Sequence, residues 1–164
     1  RLTWGDNKEV AAWLREHHGL RSVALWGPGE AALAEEVVRT SNGAAISALP
    51  TTVTDLVAFS RAAELMISGD TGPTHIAAAV GTPIVALFGP TAPGRNGPWN
   101  ADDISLSRYD QCACHYERQC RRDDASWCLG TITEEQVRTA ISDRLARRDR
   151  AQHLRNDLSR SHSL

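Results

Sequence analysis

The sequence predicts one α/β domain built on a parallel sheet with helices on both faces. Three observations lead there. Short apolar runs at 21–26, 44–49, 64–68 and 83–88 alternate with segments of helical periodicity. The connections between them are short, and parallel neighbours need a crossover, which a helix in each interval supplies. Finally, 164 residues, 41% of them hydrophobic and 23% charged, are enough for one domain with a real core.

The first helix is expected after Asp6, which can cap it with Glu9 three residues on; Val10, Trp13, Leu14 and His17 recur at helical spacing until Gly19. "RSVALW" (21–26) reads as a buried strand ending in the turn "GPGE", and "EAALAEEVVRT" (30–40) returns to helix. "AAISAL" (44–49) is a weaker strand. Thr52 and Asp55 form a capping pair for a helix through "DLVAFSRAA". "ELMIS" (64–68) and "PIVALF" (83–88) are the third and fourth strands, with a helix from "GDTGPTHIAAAVGT" between them. "DISLS" (103–107) alternates and fits an edge strand. A cysteine-bearing loop spans 110–130. The last helix begins at Thr133, with Gln136 completing a capping box, and buries Val137, Ile141 and Leu145. The domain is expected to run over 1–148 with its final helix at 133–148, and the Arg-, Ser- and His-rich stretch 149–164 is expected to be a flexible tail.

Composition excludes several classes. A formal net charge of −2 gives no global reason to bind nucleic acid or an anionic membrane. Lys8 is the only lysine, a bias that fits genome composition better than a binding surface. No apolar run approaches the ~20 residues needed to span a bilayer, and no signal peptide is visible, so a cytoplasmic protein is expected. The chain opens at "RLTWGDNKEV" without an initiator Met, as a fragment of a longer protein would.

In an open parallel sheet, ligands sit beyond the carboxyl ends of the strands. Two loops there carry unusual chemistry. In "GPGE", Gly27 and Gly29 allow a tight turn and close approach to a ligand, and Glu30 is placed to accept hydrogen bonds from ribose hydroxyls. Taken alone, Glu30 reads more simply as a complement to the helix dipole. In "GDTGPTH", Pro73 fits the first helical turn, and the amides of Thr74 and His75 with the positive helix end favour phosphate. Thr71 adds a hydroxyl, and His75 adds a donor that gains charge beside phosphate. Asp70 would repel an anion and suits the hydroxyls of an attached sugar instead. A turn, a cap and a surface histidine explain each residue singly, but less well all of them in one turn.

The stretch "SGDTGPTHIAAAVGTPIVALFGPTAPGRNGP" resembles the signature of glycosyltransferase family 9, the heptosyltransferases of lipopolysaccharide core assembly. The likeness covers most of the chain and is most specific around 68–98. It implies the C-terminal, Rossmann-like half of a two-domain GT-B fold, the half that binds a nucleotide-sugar, typically ADP-heptose. It assigns the ribose to Glu30, the donor sugar and its phosphates to Asp70, Thr71 and Gly72, and the phosphates to His75. It implies no metal and no cofactor. The family's lysine before the first tryptophan is missing: "RLTW" has Leu2 there, with Arg1 the nearby cation.

All four cysteines, Cys112, Cys114, Cys120 and Cys128, fall in one loop with His115. Four thiolates can close a zinc site. The spacings contain no CxxC pair, stable disulfides are disfavoured in the cytoplasm, and free thiols are the expectation.

Together these readings predict the donor-binding half of a glycosyltransferase that transfers a sugar to a lipopolysaccharide-core-like acceptor. The leaving diphosphate would be stabilised by His75 and the helix mouth, with Arg95 as a further cation. The catalytic base and the lipid-linked saccharide acceptor would belong to an N-terminal half not in this chain. The chain alone is then expected to be inactive, and the full-length protein peripheral at the inner membrane. Two rivals remain at this point. A dinucleotide-binding redox domain would need a third glycine that "GPGEAA" lacks. A non-catalytic module binding a nucleotide or a partner is compatible with an isolated half.

Overall fold

The computed structural model describes residues 8–112, 114–117 and 128–161, in two compact units that divide after Ala58. The first holds α1 (Lys8–His18), β1 (Ser22–Ala24), α2 (Ala31–Thr40) and β2 (Ala45–Ser47), and leads into α3 (Val53–Ala62). Val10, Ala11 and Leu14 make the buried stripe of α1. Its centre is small: Ala11, Ala44 and Ala45, with Val37 and Val38 of α2 packed against them. The strands run parallel, Val23 opposite Ile46.

Each of these strands is shorter than its apolar run. The ladder stops at Ala24, and Trp26 leaves the strand direction to donate its Nε1–H to the Ala48 carbonyl at 2.8 Å. Val23 and Ile46 are about half exposed, at 42% and 52%, so the run read as a buried strand has one open face within this unit. The capping box at α3 forms as expected. The Thr52 amide and hydroxyl both donate to Asp55 Oδ2 (2.8 and 2.7 Å), and the Asp55 amide donates to Thr52 Oγ1 (3.2 Å). These bonds, the amide first, hold the Asp55 carboxyl below its usual range.

The second unit holds β3 (Met66–Gly69), α4 (Gly72–Val80), β4 (Ile84–Phe88), α5 (Pro93–Asn96), β5 (Ile104–Ser107) and α6 (Glu134–Ser161). Its three strands are parallel in the order β3-β4-β5, with Met66 opposite Ile84 and Val85 opposite Ile104. All five residues of β4 are buried, which is why its sequence is continuously apolar rather than alternating. Ile84, Ala86 and Phe88 share one face and pack on Ala77 of α4. Val85 and Leu87 point to the other face, on which α6 lies with Val137, Ala140, Ile141 and Leu145 buried.

Polar contacts fix α6 against the sheet. Thr133 and Gln136 close the expected capping box, at 3.0 Å for the Thr133 amide and 3.3 Å for the Gln136 amide. Arg108, just after β5, donates to Thr131 and to Gln136 Oε1. Deeper in, Arg144 Nε donates to Asp103 Oδ1 at 2.7 Å, with both side chains almost fully buried (4% and 2% exposed). The same oxygen accepts the Ile84 amide at 2.9 Å, so one carboxylate joins α6 to the starts of two strands.

α6 corrects one expectation. It continues to Ser161, thirteen residues beyond the predicted end at 148, through the stretch read as a flexible tail. Nothing between Glu134 and Ser161 stops a helix: there is no Gly or Pro, and Arg, Ala, Gln and Leu are good formers. Leu154 and Leu158 remain more than 60% exposed there. No helix among the described residues is long and apolar enough to cross a membrane.

Candidate functional site

The loop after β1 is a glycine turn closed by an acid. Gly29 sits at φ +82°, a conformation that a side chain disfavours. Gly27 N–H donates to Glu30 Oε2 at 2.9 Å, while Glu30 N–H donates back to the Gly27 carbonyl at 3.0 Å. A Cβ on Gly27 would lie 3.3 Å from that carboxylate oxygen, so glycine leaves the acid room to fold back. Glu30 caps α2 without a side-chain bond to the helix and is exposed. Its carboxylate therefore already holds the turn with one oxygen, a contact that residue types alone did not suggest.

In the second unit, β3 ends at Gly69 and the chain turns directly into α4. Thr71 is the extended N-cap, and Pro73 occupies the first turn, where a missing N–H costs nothing. The turn is closed by hydroxyls. Thr74, 1% exposed, donates its Oγ1–H to the Gly69 carbonyl, and Thr71 Oγ1 lies 3.1 Å from Ser68 Oγ. The mouth offers fewer backbone donors than expected. The Thr74 amide is taken by the Thr71 carbonyl at 3.1 Å, and Pro73 has none. The amide of Gly72 has no acceptor among the described residues. A Cβ on Gly72 would meet nothing within 4 Å, so the space over this residue is open.

Asp70 is the centre of this loop. Its Oδ2 accepts from Asn96 Nδ2 at 2.8 Å, and its Oδ1 lies 3.9 Å from His75 Nε2, an ion pair when the imidazole is protonated. The side chain of Asp70 is 20% exposed and that of His75 is 48% exposed, so both reach solvent. The structure thus brings Asp70, Thr71, Gly72 and His75 together at one strand end. Gly27, Gly29 and Glu30 lie together at another.

Sequence reading missed Asn96. It stands at the end of α5, a single turn begun by Pro93, and the proline at helix start was the available signal. Arg95, the expected cation, lies with its guanidinium 5.6 Å from the centre of the Tyr116 ring. Arg1 and Leu2 fall outside the described residues.

In the cysteine loop, Cys112 is a free thiol whose Sγ accepts the Cys114 amide at 3.3 Å, and Cys114 is buried. Cys120 lies outside the described residues. Cys128 begins a short 3₁₀ turn through Thr131. Among the described residues no three His, Cys, Asp or Glu side chains are grouped to hold a metal.

Residues 4–125 match the family described as glycosyltransferase family 9 (heptosyltransferase). Curated relatives include lipopolysaccharide heptosyltransferase 1 of Campylobacter coli, 29% identical over 51% of this chain and 23% of the relative. Lipopolysaccharide heptosyltransferase 3 of Escherichia coli is 36% identical over 62% of this chain and 32% of the relative. The matches thus span only a quarter to a third of those proteins. Among solved structures, a glycosyltransferase of family 9 from Veillonella parvula superposes with a TM-score of 0.72 at 29% identity, over 87% of this chain and 42% of that one. The E. coli heptosyltransferase WaaC with ADP superposes with a TM-score of 0.64 at 19% identity and shares the fold. The parallel α/β architecture, the acid–imidazole turn at a strand end and a family match over most of its length converge, and the chain belongs to glycosyltransferase family 9.

Proposed function

We propose that this chain is the donor-binding half of a glycosyltransferase that moves a sugar, heptose from ADP-heptose, onto a lipopolysaccharide-core-like saccharide. The observation that carries the reading is the Asp70–Asn96–His75 cluster at the mouth of α4. A carboxylate whose one oxygen is fixed by an amide presents the other in a defined direction, which suits a sugar hydroxyl. The imidazole and the Gly72 amide lie at the positive end of a helix, which suits the diphosphate.

The reaction would be a displacement at the anomeric carbon. The bond from that carbon to the diphosphate oxygen breaks, and its electron pair leaves with the nucleoside diphosphate. The acceptor oxygen forms the new bond and gives its proton to a base outside this chain. His75 and the helix mouth would stabilise the leaving diphosphate, and Asp70 the positive charge that develops on the sugar ring. Glu30 would accept from the ribose with the carboxylate oxygen that Gly27 leaves available.

Thermal melting of this chain with ADP, UDP, GDP and their sugars tests the reading. A ligand at 100 times its dissociation constant stabilises by ~2.7 kcal/mol. ADP and ADP-heptose are expected to stabilise most, and no shift with any nucleotide or nucleotide-sugar would sink the donor-binding reading.

Two substitutions refine the assignment. Glu30→Gln is expected to weaken ADP about tenfold, the scale of one charge-assisted hydrogen bond, as read by calorimetry. Unchanged affinity for both adenosine and ADP removes Glu30 from the site. His75→Ala is expected to weaken ADP about tenfold while leaving adenosine within about twofold. Equal losses for the two ligands would mean that His75 supports the fold instead.

A further inference from the structure

One residue outside the signature holds the segment that carries Asn96. Tyr116 donates its amide to the Pro90 carbonyl at 3.0 Å, and its hydroxyl accepts the Ala92 amide at 3.3 Å. Its ring lies under the Arg95 guanidinium at 5.6 Å. Three points of the 90–95 segment are therefore tied to a single side chain and its backbone. Ala92 is the N-cap of α5, and α5 ends at Asn96, whose amide fixes Asp70 Oδ2 at 2.8 Å. Tyr116 in turn is braced by Tyr109, edge to face at 6.1 Å, and Tyr109 is stacked on His115 at 4.1 Å.

The backbone of Tyr116 marks the position further. It sits at φ +58°, in the left-handed region that bulky residues avoid. Such strain persists where the surroundings over-determine it, and it clusters at functional sites. Here the residue in that conformation contacts one short segment with both its amide and its hydroxyl. Glycine would adopt this φ more easily but would supply neither hydroxyl nor ring.

We infer that Tyr116 is a positioning residue for the donor site: through Pro90, Ala92 and α5 it sets Asn96, and through Asn96 it sets the carboxylate of Asp70. The consequence for ligand binding rests on the proposed donor-site reading, in which Asp70 meets the sugar and not the nucleotide. Loss of the clamp therefore selects against the sugar-bearing ligand. It acts on orientation, so its effect disappears once Asn96 is gone.

The test uses two variants, each measured in the full chain. Tyr116→Phe removes the hydroxyl alone, and Tyr116→Gly removes hydroxyl and ring while accepting the left-handed backbone, so the local fold is kept. In NMR spectra, both are expected to move the Asn96 side-chain amide resonance, the Gly variant more. In calorimetry, Tyr116→Gly is expected to weaken ADP-heptose about tenfold and Tyr116→Phe about threefold, with ADP changed by less than about twofold. In an Asn96→Ala background, Tyr116→Gly is expected to add nothing to the loss. An unmoved Asn96 resonance, an equal loss for ADP and ADP-heptose, or full additivity with Asn96→Ala overturns the inference. If the unaltered chain itself fails to distinguish ADP-heptose from ADP, the donor-site reading fails, and the Asn96 resonance still decides the clamp.

Discussion

Asp103→Ala is expected to destabilise the second unit by about 3–5 kcal/mol, because it strands the Arg144 charge in a place where water cannot reach it. The Arg144 side chain is 4% exposed, and its Nε donates to the one carboxylate oxygen that also accepts the Ile84 amide. Removing the carboxylate leaves a buried cation and a buried N–H without their acceptor. The melting temperature is expected to fall on the order of 10 °C. A double variant, Asp103→Leu with Arg144→Met, removes the charges together and is expected to recover about half of the loss. The remainder is the orphaned Ile84 amide, about 1–3 kcal/mol. Urea unfolding of the three proteins decides it: a single-variant loss below about 1 kcal/mol would mean that the pair is solvated in solution.

On the proposed donor-site reading, Asp70→Ala reduces kcat/KM for sugar transfer by the full-length protein on the order of 100-fold, the scale for removing one preorganised group that meets developing charge. Asp70→Asn separates charge from shape. Its amide oxygen can still accept from Asn96 Nδ2, so the turn is kept while the negative charge is lost. With that oxygen taken by Asn96, an NH2 donor replaces the acceptor facing the sugar, so ADP-heptose is expected to bind up to about tenfold more weakly, and loss of the charge is expected to appear as a further fall in kcat. An unchanged kcat in Asp70→Asn rules out a role for the charge and leaves Asp70 a binding group only.

What sequence alone revealed was mostly local. Thr52 with Asp55 and Thr133 with Gln136 are three residues apart, so their capping boxes depend on little beyond the chain's own helical geometry, and both form. The parallel order was legible because a five-residue apolar run such as β4 has no polar side to show water. The acid, threonine, glycine and histidine of the β3–α4 turn lie within six residues, 70 to 75, and the structure brings them together at one strand end. Asn96 was illegible because its contact with Asp70 spans 26 residues and depends on a one-turn helix held from elsewhere. The Asp103–Arg144 pair was missed for a related reason: charged residues are presumed exposed, and only packing over 41 residues of sequence buries these two. The end of α6 was misread because low apolar content was taken for loss of helix, although every residue there is compatible with one.

The double burial of β4 also constrains the order of events during synthesis. One face is closed by α4, whose residues precede the strand in the chain. The other is closed by Val137, Ile141 and Leu145, which follow it by roughly fifty residues. At ribosomal rates of about 5–20 residues per second, Val85 and Leu87 spend several seconds outside the exit tunnel before their cover exists. A nascent chain stalled before Glu134 would display a five-residue apolar strand with no charge in it, the kind of segment that chaperones capture and that pairs with its own copies. The buried ion pair therefore acts as a late latch, which only a nearly complete unit can close.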